Sequence, residues 1–349
     1  MQVIKARNVH EALPEALRYL LLYGVEEDSR NGKVLRAPQP VTTLYERPRE
    51  RVIFWPQRDA NPFFHFYESL WMLAGRRDVA SLTRFVKRMQ TFSDDGETFY
   101  GAYGNRWRKA FGNDQLMWII KHLRDDPTCR RQVLQMWHSS LDLVDQVGLK
   151  DIPCNLVAHF QINMGALDMT VFNRSNDIVW GCYGANAVHF SILQEFIAAF
   201  VGVEVGMYWQ VSDNWHAYLP TLETVKDIAN AAPDPPYSSP FSPYRDNLPI
   251  FPLVQRTSLE IWLEDLEMFM EVEDAALGYR DSFFRKVAVP MVRTHNAFKQ
   301  NEREQKYEAA LREAKLIQAP DWRLAAEQWI ERRKARWLKA QDDGVSYDD

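Results

Sequence analysis

In the stretch DIPCNLVAHFQINMGALDMTVFNRSND, residues 151–177, a cysteine follows a proline, and twenty residues after it comes an Arg-Ser-Asn-Asp run. A lone cysteine is more often a small buried hydrophobe than a nucleophile. The surroundings of Cys154 change that balance. A thiolate needs nearby positive charge or hydrogen-bond donors to lower its pKa, and Arg174, brought back by a hairpin, supplies charge that also suits an anionic substrate. Cys154 is therefore expected to be a fast-reacting thiol. Glu68 is a second candidate, a carboxylate inside the apolar run NPFFHFYESLWMLAG. There it is either a solvated edge residue or a buried, partnered acid of the kind that functional sites use.

Elements with clear periodicity flank these residues. Phe63, Phe66, Tyr67, Leu70, Trp71 and Leu73 recur at helical spacing over 61–75 and stop at Gly75. Residues 114–124 form a second amphipathic helix, closed by DDPT, after which CRRQVLQMW reads as a strand with a basic pair at its start. Over 158–172, Phe160, Ile162 and Met164 alternate with His159, Gln161 and Asn163 until Gly165-Ala166 turns the chain, the pattern of an antiparallel hairpin. Val188, Ile192, Phe196 and Phe200 mark a long apolar helix over 187–201, ended by Gly202. VEVGMYWQVSDNWHAY then reads as a strand running into a polar loop. The Pro- and Ser-rich stretch at 232–252 marks a loop or boundary, and 256–341 reads as helices whose tryptophans are packing residues. This mixture of helices and antiparallel signals predicts an α+β class rather than a parallel doubly wound sheet.

Composition narrows the function. The 349 residues carry a net charge of −5 with pI near 6, which gives no basic field for nucleic acid, so none is expected as a partner. Cys129, Cys154 and Cys182 show no CxxC or Cys/His pairing, so neither disulfides nor a metal are expected and a reducing cytoplasm fits best. No apolar run has the length of a membrane span, and none resembles a cleavable signal.

Six motifs in order resemble the thymidylate synthase superfamily, which includes the pyrimidine nucleotide hydroxymethylases. They are SRNGKVL, HFYESLWMLAG, YGNRWR with DPTCRRQVLQMW, the cysteine hairpin, WGCYGANAVHF and SDNWHAY, spread over roughly residues 25–225. The resemblance implies a thymidylate synthase-like fold, a large mixed or antiparallel sheet packed with helices. Its catalytic core would be residues 1–230, and 231–349 a Pro-rich loop and a helical C-terminal extension packed on that core.

Carried over residue by residue, the resemblance implies that Cys154 adds to C6 of a pyrimidine nucleoside 5′-monophosphate. C5 then takes a one-carbon unit from 5,10-methylenetetrahydrofolate. Arg30, Arg174 and Ser175 would hold the phosphate, joined by Arg130 and Arg131 from the other subunit of a homodimer, as clustered guanidinium forks do. His216 and Tyr218 match the residues that bond the 3′-hydroxyl. Glu68 and Tyr103 match the proton-relay positions, and Asn155 stands where synthases have a histidine in the ordered-water network. Asp177, with Trp180 and Gly181 after it, matches the folate side of the site.

Two departures separate this chain from the synthases, which finish by hydride transfer, and point to water as the final nucleophile. Met89 and Phe92 occupy the places of two synthase tryptophans, and the acidic end KAQDDGVSYDD replaces an apolar closing tail. The resemblance therefore implies a hydroxymethylase, with thymidylate synthase or a CMP hydroxymethylase as alternatives and an idle nucleotide-binding relative as a distant third. GCYGANA carries one extra residue, so either Ala185 or Asn186 stands at the base-reading place. An asparagine amide can be turned to suit either base. Cytosine is the commoner substrate among the hydroxymethylases, which favours dCMP over dUMP.

Overall fold

The computed structural model describes residues 1–143, 149–232, 242–274, 278–302 and 304–343. The chain divides into two compact units, Met1–Ile53 with Glu68–Ser242, and Phe54–Tyr67 with Pro243–Asp349. Residues 54–67, placed by sequence in the 1–230 core, thus belong to the second unit. Phe63 and Phe66 explain why: they pack edge-on to Trp329 and Trp322, ring centroids 5.5 and 5.2 Å apart.

The first unit is built on an eight-stranded mixed sheet, as the α+β expectation requires. Its strands are β1 (Gln2–Ala6), β2 (Val25–Ser29), β3 (Gly32–Arg36), β4 (Val41–Tyr45), β5 (Val133–Gln135), β6 (Asn155–Asn163), β7 (Ala166–Asp177) and β8 (Glu204–Tyr218). The spatial order is β1-β4-β8-β7-β6-β5, with the β2–β3 hairpin joined to β8 through β3. β7 and β8 run parallel while β6 and β7 are antiparallel, so β7 lies between β6, which follows Cys154, and the long strand β8.

The β6–β7 hairpin turns at Met164 and Gly165, with φ of 50° and 80°, one residue earlier than the pattern suggested. Two consecutive positive φ values match the right-handed twist of a tight hairpin, and glycine adopts the second at no steric cost. At its other end the ladder shifts register between Asn155 and Val157. Bulges of this kind re-aim side chains beside functional sites, and this one starts immediately after Cys154.

Helix α1 (Val9–Tyr23) and helix α2 (Pro62–Leu73) precede α3 (Tyr103–Arg108), α4 (Gln115–Asp125) and α5 (Asn186–Val201). α5 is buried almost all round, which explains its continuous apolarity. With the turn before it, it forms the apolar stretch Ile178–Val201, which, against the expectation from sequence, has the length of a membrane span, but it is mostly buried within the protein, as a core helix is. Arg106, one turn after Tyr103 on α3, makes a buried paired bond to Asp142, Nη1 to Oδ2 at 2.7 Å and Nη2 to Oδ1 at 2.9 Å. That pair anchors the helix carrying Tyr103.

In the second unit, helices Leu259–Val272, Val289–Gln300, Gln305–Ala314 and Pro320–Asp342 carry an aromatic core. Trp262, Trp322 and Trp329 are buried in it, the packing role expected of them. Of the Pro-rich stretch, 233–241 lie outside the described residues, as do 344–349 of the acidic end.

Candidate active site

The loop Leu149–Pro153 and the start of β6 hold Cys154, and two arginines grip that loop. Arg174 donates from Nε to the Pro153 carbonyl at 2.8 Å and from Nη2 to the Ile152 carbonyl at 3.1 Å, while its own amide bonds the Cys154 carbonyl. Arg30, in the turn between β2 and β3, donates to the carbonyls of Leu149 and Lys150 at 3.0 and 3.4 Å. Both guanidinium groups act on the Cys154 thiol in the direction of a lower pKa. Burial acts first and more strongly, Asp151 adds to it, and the net effect raises the thiol above its ordinary value. The expectation of a fast-reacting free thiol is thereby corrected: desolvation outweighs the nearby charge.

Tyr103 closes the other side. Its hydroxyl oxygen accepts from the backbone N–H of Cys154 at 3.0 Å and of Asn155 at 3.2 Å, fixing the peptide around that cysteine. Burial, then the neighbouring Cys154, pushes its pKa far up, so it keeps its proton. Glu68, on α2, lies 3.1 Å from His189 Nε2 on α5. The carboxylate inside the apolar run is therefore partnered and mostly buried.

Asp151 was not singled out by sequence. Burial raises it from the usual carboxylate value to about 6, although its Oδ2 accepts from the Gly101 N–H at 2.8 Å. The folded protein thus favours the neutral acid. Stability from this group is complete below the unfolded value and is lost as pH rises through about 6. Asp151→Asn, which stays neutral and still accepts from Gly101, is expected to gain about 3 kcal/mol over the natural chain at pH 8 and little at pH 3. Urea denaturation at the two pH values checks this; an equal gain at both would show that charge is not the cause.

The sugar-side candidates also converge. His216 pairs across the sheet with Asp177, and its ring lies edge-on to Tyr218 at 5.4 Å. Burial lowers the imidazole and Asp177 partly restores it, while Nδ1 sits 2.8 Å from Asn214 Oδ1. Tyr218 accepts from Asn31 at 3.5 Å, and Ser175 pairs with Asn214 across β7 and β8. Asp177 caps the turn that follows β7, accepting at Oδ1 from Val179 and Trp180 N–H groups at 2.9 and 2.6 Å.

That turn, Ile178–Ala185, winds more widely than an α-helix and kinks at Tyr183 and Gly184. A wide turn absorbs one inserted residue. Just past this turn, Asn186 Oδ1 accepts from Asn155 Nδ2 at 3.4 Å.

Other candidates stand apart. Arg130 and Arg131 are exposed ahead of β5, and the Arg130 carbonyl meets His159 at 3.4 Å. Met89 and Phe92 lie on a short turn, Lys87–Phe92, with Phe92 exposed beneath Arg88. Trp180 is half exposed. No hydrogen bond joins these five to Cys154 among the described residues.

Comparison with known proteins shows the family. The thymidylate synthase family profile matches residues 18–240. The chain is 54% identical, over the whole of both sequences, to a deoxyuridylate hydroxymethyltransferase of Pseudomonas phage M6. It is 40% identical to a deoxyuridylate hydroxymethyltransferase of Bacillus phage SP01, over 54% of this chain and 51% of that one. Among solved structures it is similar in fold to thymidylate synthase from T4 phage, with a TM-score of 0.52 and 20% identity over 63% of this chain and 81% of that one. The chain belongs to the thymidylate synthase family, in its hydroxymethylase branch, and is a folate-dependent one-carbon transferase.

Proposed function

We propose that the protein converts dUMP to 5-hydroxymethyl-dUMP. The end-to-end similarity to a phage deoxyuridylate hydroxymethyltransferase carries this reading, and it replaces the preference for dCMP drawn from the sequence. Arg30 and Arg174 turn from the loop carbonyls toward the phosphate, and Ser175 adds a hydroxyl. His216 and Tyr218 hold the sugar. Cys154 gives up its proton and its sulfur adds to C6, which makes C5 a carbon nucleophile. 5,10-Methylenetetrahydrofolate supplies the one-carbon unit when bound. Asp177 and the exposed aromatic faces of Trp180 and Phe92 fit a flat, partly polar ring system, with Gly181 and Met89 beside them in sequence.

Tyr103, which keeps its proton, and Glu68 handle the C5 proton as the one-carbon unit is taken up. Tetrahydrofolate leaves first, which frees the C5 methylene; water then adds to that carbon and the sulfur leaves C6. Asn155, uncharged where synthases carry a histidine, is buried with its amide bonded to Asn173 and Asn186. Arg130 and Arg131 serve the phosphate of a second copy in a homodimer, which is consistent with their exposure.

The test is to incubate the protein and methylenetetrahydrofolate with dUMP, dCMP or CMP separately and weigh the products. A hydroxymethyl-sized gain on dUMP with tetrahydrofolate release is expected. A methyl-sized gain with dihydrofolate, or turnover of a cytosine nucleotide alone, would overturn the assignment.

A further inference from the structure

Four asparagines and one serine close a ring of side-chain hydrogen bonds behind Cys154. Asn173 Nδ2 donates to Asn155 Oδ1, and Asn155 Nδ2 donates to Asn186 Oδ1 at 3.4 Å. Asn186 Nδ2 donates to Asn176 Oδ1 at 3.1 Å, and Asn176 Nδ2 to Ser212 Oγ at 3.0 Å. Ser212 returns the bond to Asn173 Oδ1 at 3.5 Å. The members come from β6, β7, the start of α5 and β8, and the sheet register itself sets Asn173 opposite both Asn155 and Ser212. Asn155, Asn173, Asn176 and Ser212 are buried. Gly181 lets the ring close: a Cβ there would lie 2.7 Å from Asn176 Oδ1 and 3.4 Å from Asn186 Nδ2.

Every amide in the ring is used once as donor and once as acceptor, all in one direction. Turning Asn186 alone would set its Nδ2 against Asn155 Nδ2 and its Oδ1 against Asn176 Oδ1. Two hydrogen bonds would become two like-pole contacts where burial leaves little water to compensate. Asn186 can reverse only if the other three amides and the Ser212 hydroxyl reverse with it. The ring therefore has two states, and the state decides which end of the Asn186 amide faces a ligand from each side.

Uracil presents a donor at N3 and an acceptor at O4; cytosine presents an acceptor at N3 and a donor at N4. These are opposite demands on one amide. We propose that the ring is the specificity-determining element of the site, with Asn173, Asn176 and Ser212 as positioning residues that lock Asn186 in the orientation accepting one base and refusing the other. This rests on Asn186 reading the base of a pyrimidine nucleotide, as in the function proposed above, and adds why a residue able to serve both bases serves one. A site built on such bonds discriminates strongly, because the wrong base leaves buried polar groups unpaired.

The test compares kcat/KM for dUMP and dCMP, at saturating methylenetetrahydrofolate, in the natural chain, S212A and N176D. S212A opens the ring far from the reacting atoms, so that Asn176 and Asn186 can turn together with one like-pole contact, at Asn155, instead of two, and the dUMP-to-dCMP ratio is expected to fall by at least about tenfold. N176D keeps an acceptor facing Asn186 Nδ2 and takes the Ser212 proton, so the orientation and the ratio are expected to persist. Equal losses on both bases in S212A, with the ratio unchanged, would overturn the proposal as a mere packing effect. If S212A does not fold, N176D decides: a collapsed ratio overturns it and a preserved one supports it. A natural chain that turns over neither nucleotide sinks the functional reading and the ring with it. A natural chain that prefers dCMP, losing that preference in S212A, sinks only the choice of uracil.

Discussion

Cys154→Ala is expected to lower hydroxymethyl transfer to dUMP by roughly 10⁵-fold or more, the scale seen when an enzyme loses the nucleophile on which its covalent intermediate depends. Binding should survive, because Arg30, Arg174 and Ser175 remain, so equilibrium dialysis is expected to give the variant a dUMP affinity within a few-fold of the natural chain. A parallel loss of binding and turnover would show Cys154 to be structural. The raised thiol adds a second readout. Burial keeps the sulfur protonated in the ligand-free protein despite Arg174 and Arg30. Alkylation of Cys154 is therefore expected to be slow at neutral pH and to accelerate only as pH climbs past the ordinary thiol range. Fast labelling at pH 7 would contradict the desolvated position found for it.

This reversal shows where sequence reasoning has force and where it stops. The hairpin that follows Cys154 was legible because alternation is a local, period-two signal, as was the core helix Asn186–Val201 from its apolar spacing. The basic residues around Cys154 were legible by type. Their effect was not, since desolvation depends on side chains brought in from elsewhere, Tyr103 among them. β4, the five residues VTTLY, is buried throughout and so has no alternation to read. Phe54–Tyr67 joins the second unit through rings more than two hundred positions away, a contact that no window can contain. Asn173, Asn176 and Ser212 look in sequence like ordinary polar positions of strands. Their ring exists only because β7 is paired to β6 on one side and β8 on the other. Asp151 carried one hint, its place three residues before the cysteine, but nothing local tells that its carboxyl is desolvated.

Tyr103→Phe removes one oxygen atom and tests whether that atom does chemistry or only holds the loop. The hydroxyl accepts from both peptide N–H groups flanking the Cys154 carbonyl, so its loss leaves two donors to find water or remain unpaired. That costs about 1–3 kcal/mol of stability, readable in urea. The phenol proton is not used in either bond, and its high pKa means that it is present at every physiological pH and can be offered to the substrate. Proton transfer by a positioned side chain contributes roughly 10²–10⁴-fold, and the variant is expected to lose kcat within that range while its KM for dUMP changes little. A purely structural role predicts the opposite split: a displaced Cys154 loop would release the carbonyls gripped by Arg174 and Arg30, disturb the phosphate side and raise KM. Exchange of the C5 hydrogen of dUMP with solvent in the absence of folate separates the two further. This exchange needs sulfur addition and proton handling at C5 but no one-carbon unit. It is expected to fall in step with kcat if Tyr103 moves that proton, and to persist if the hydroxyl serves the backbone alone.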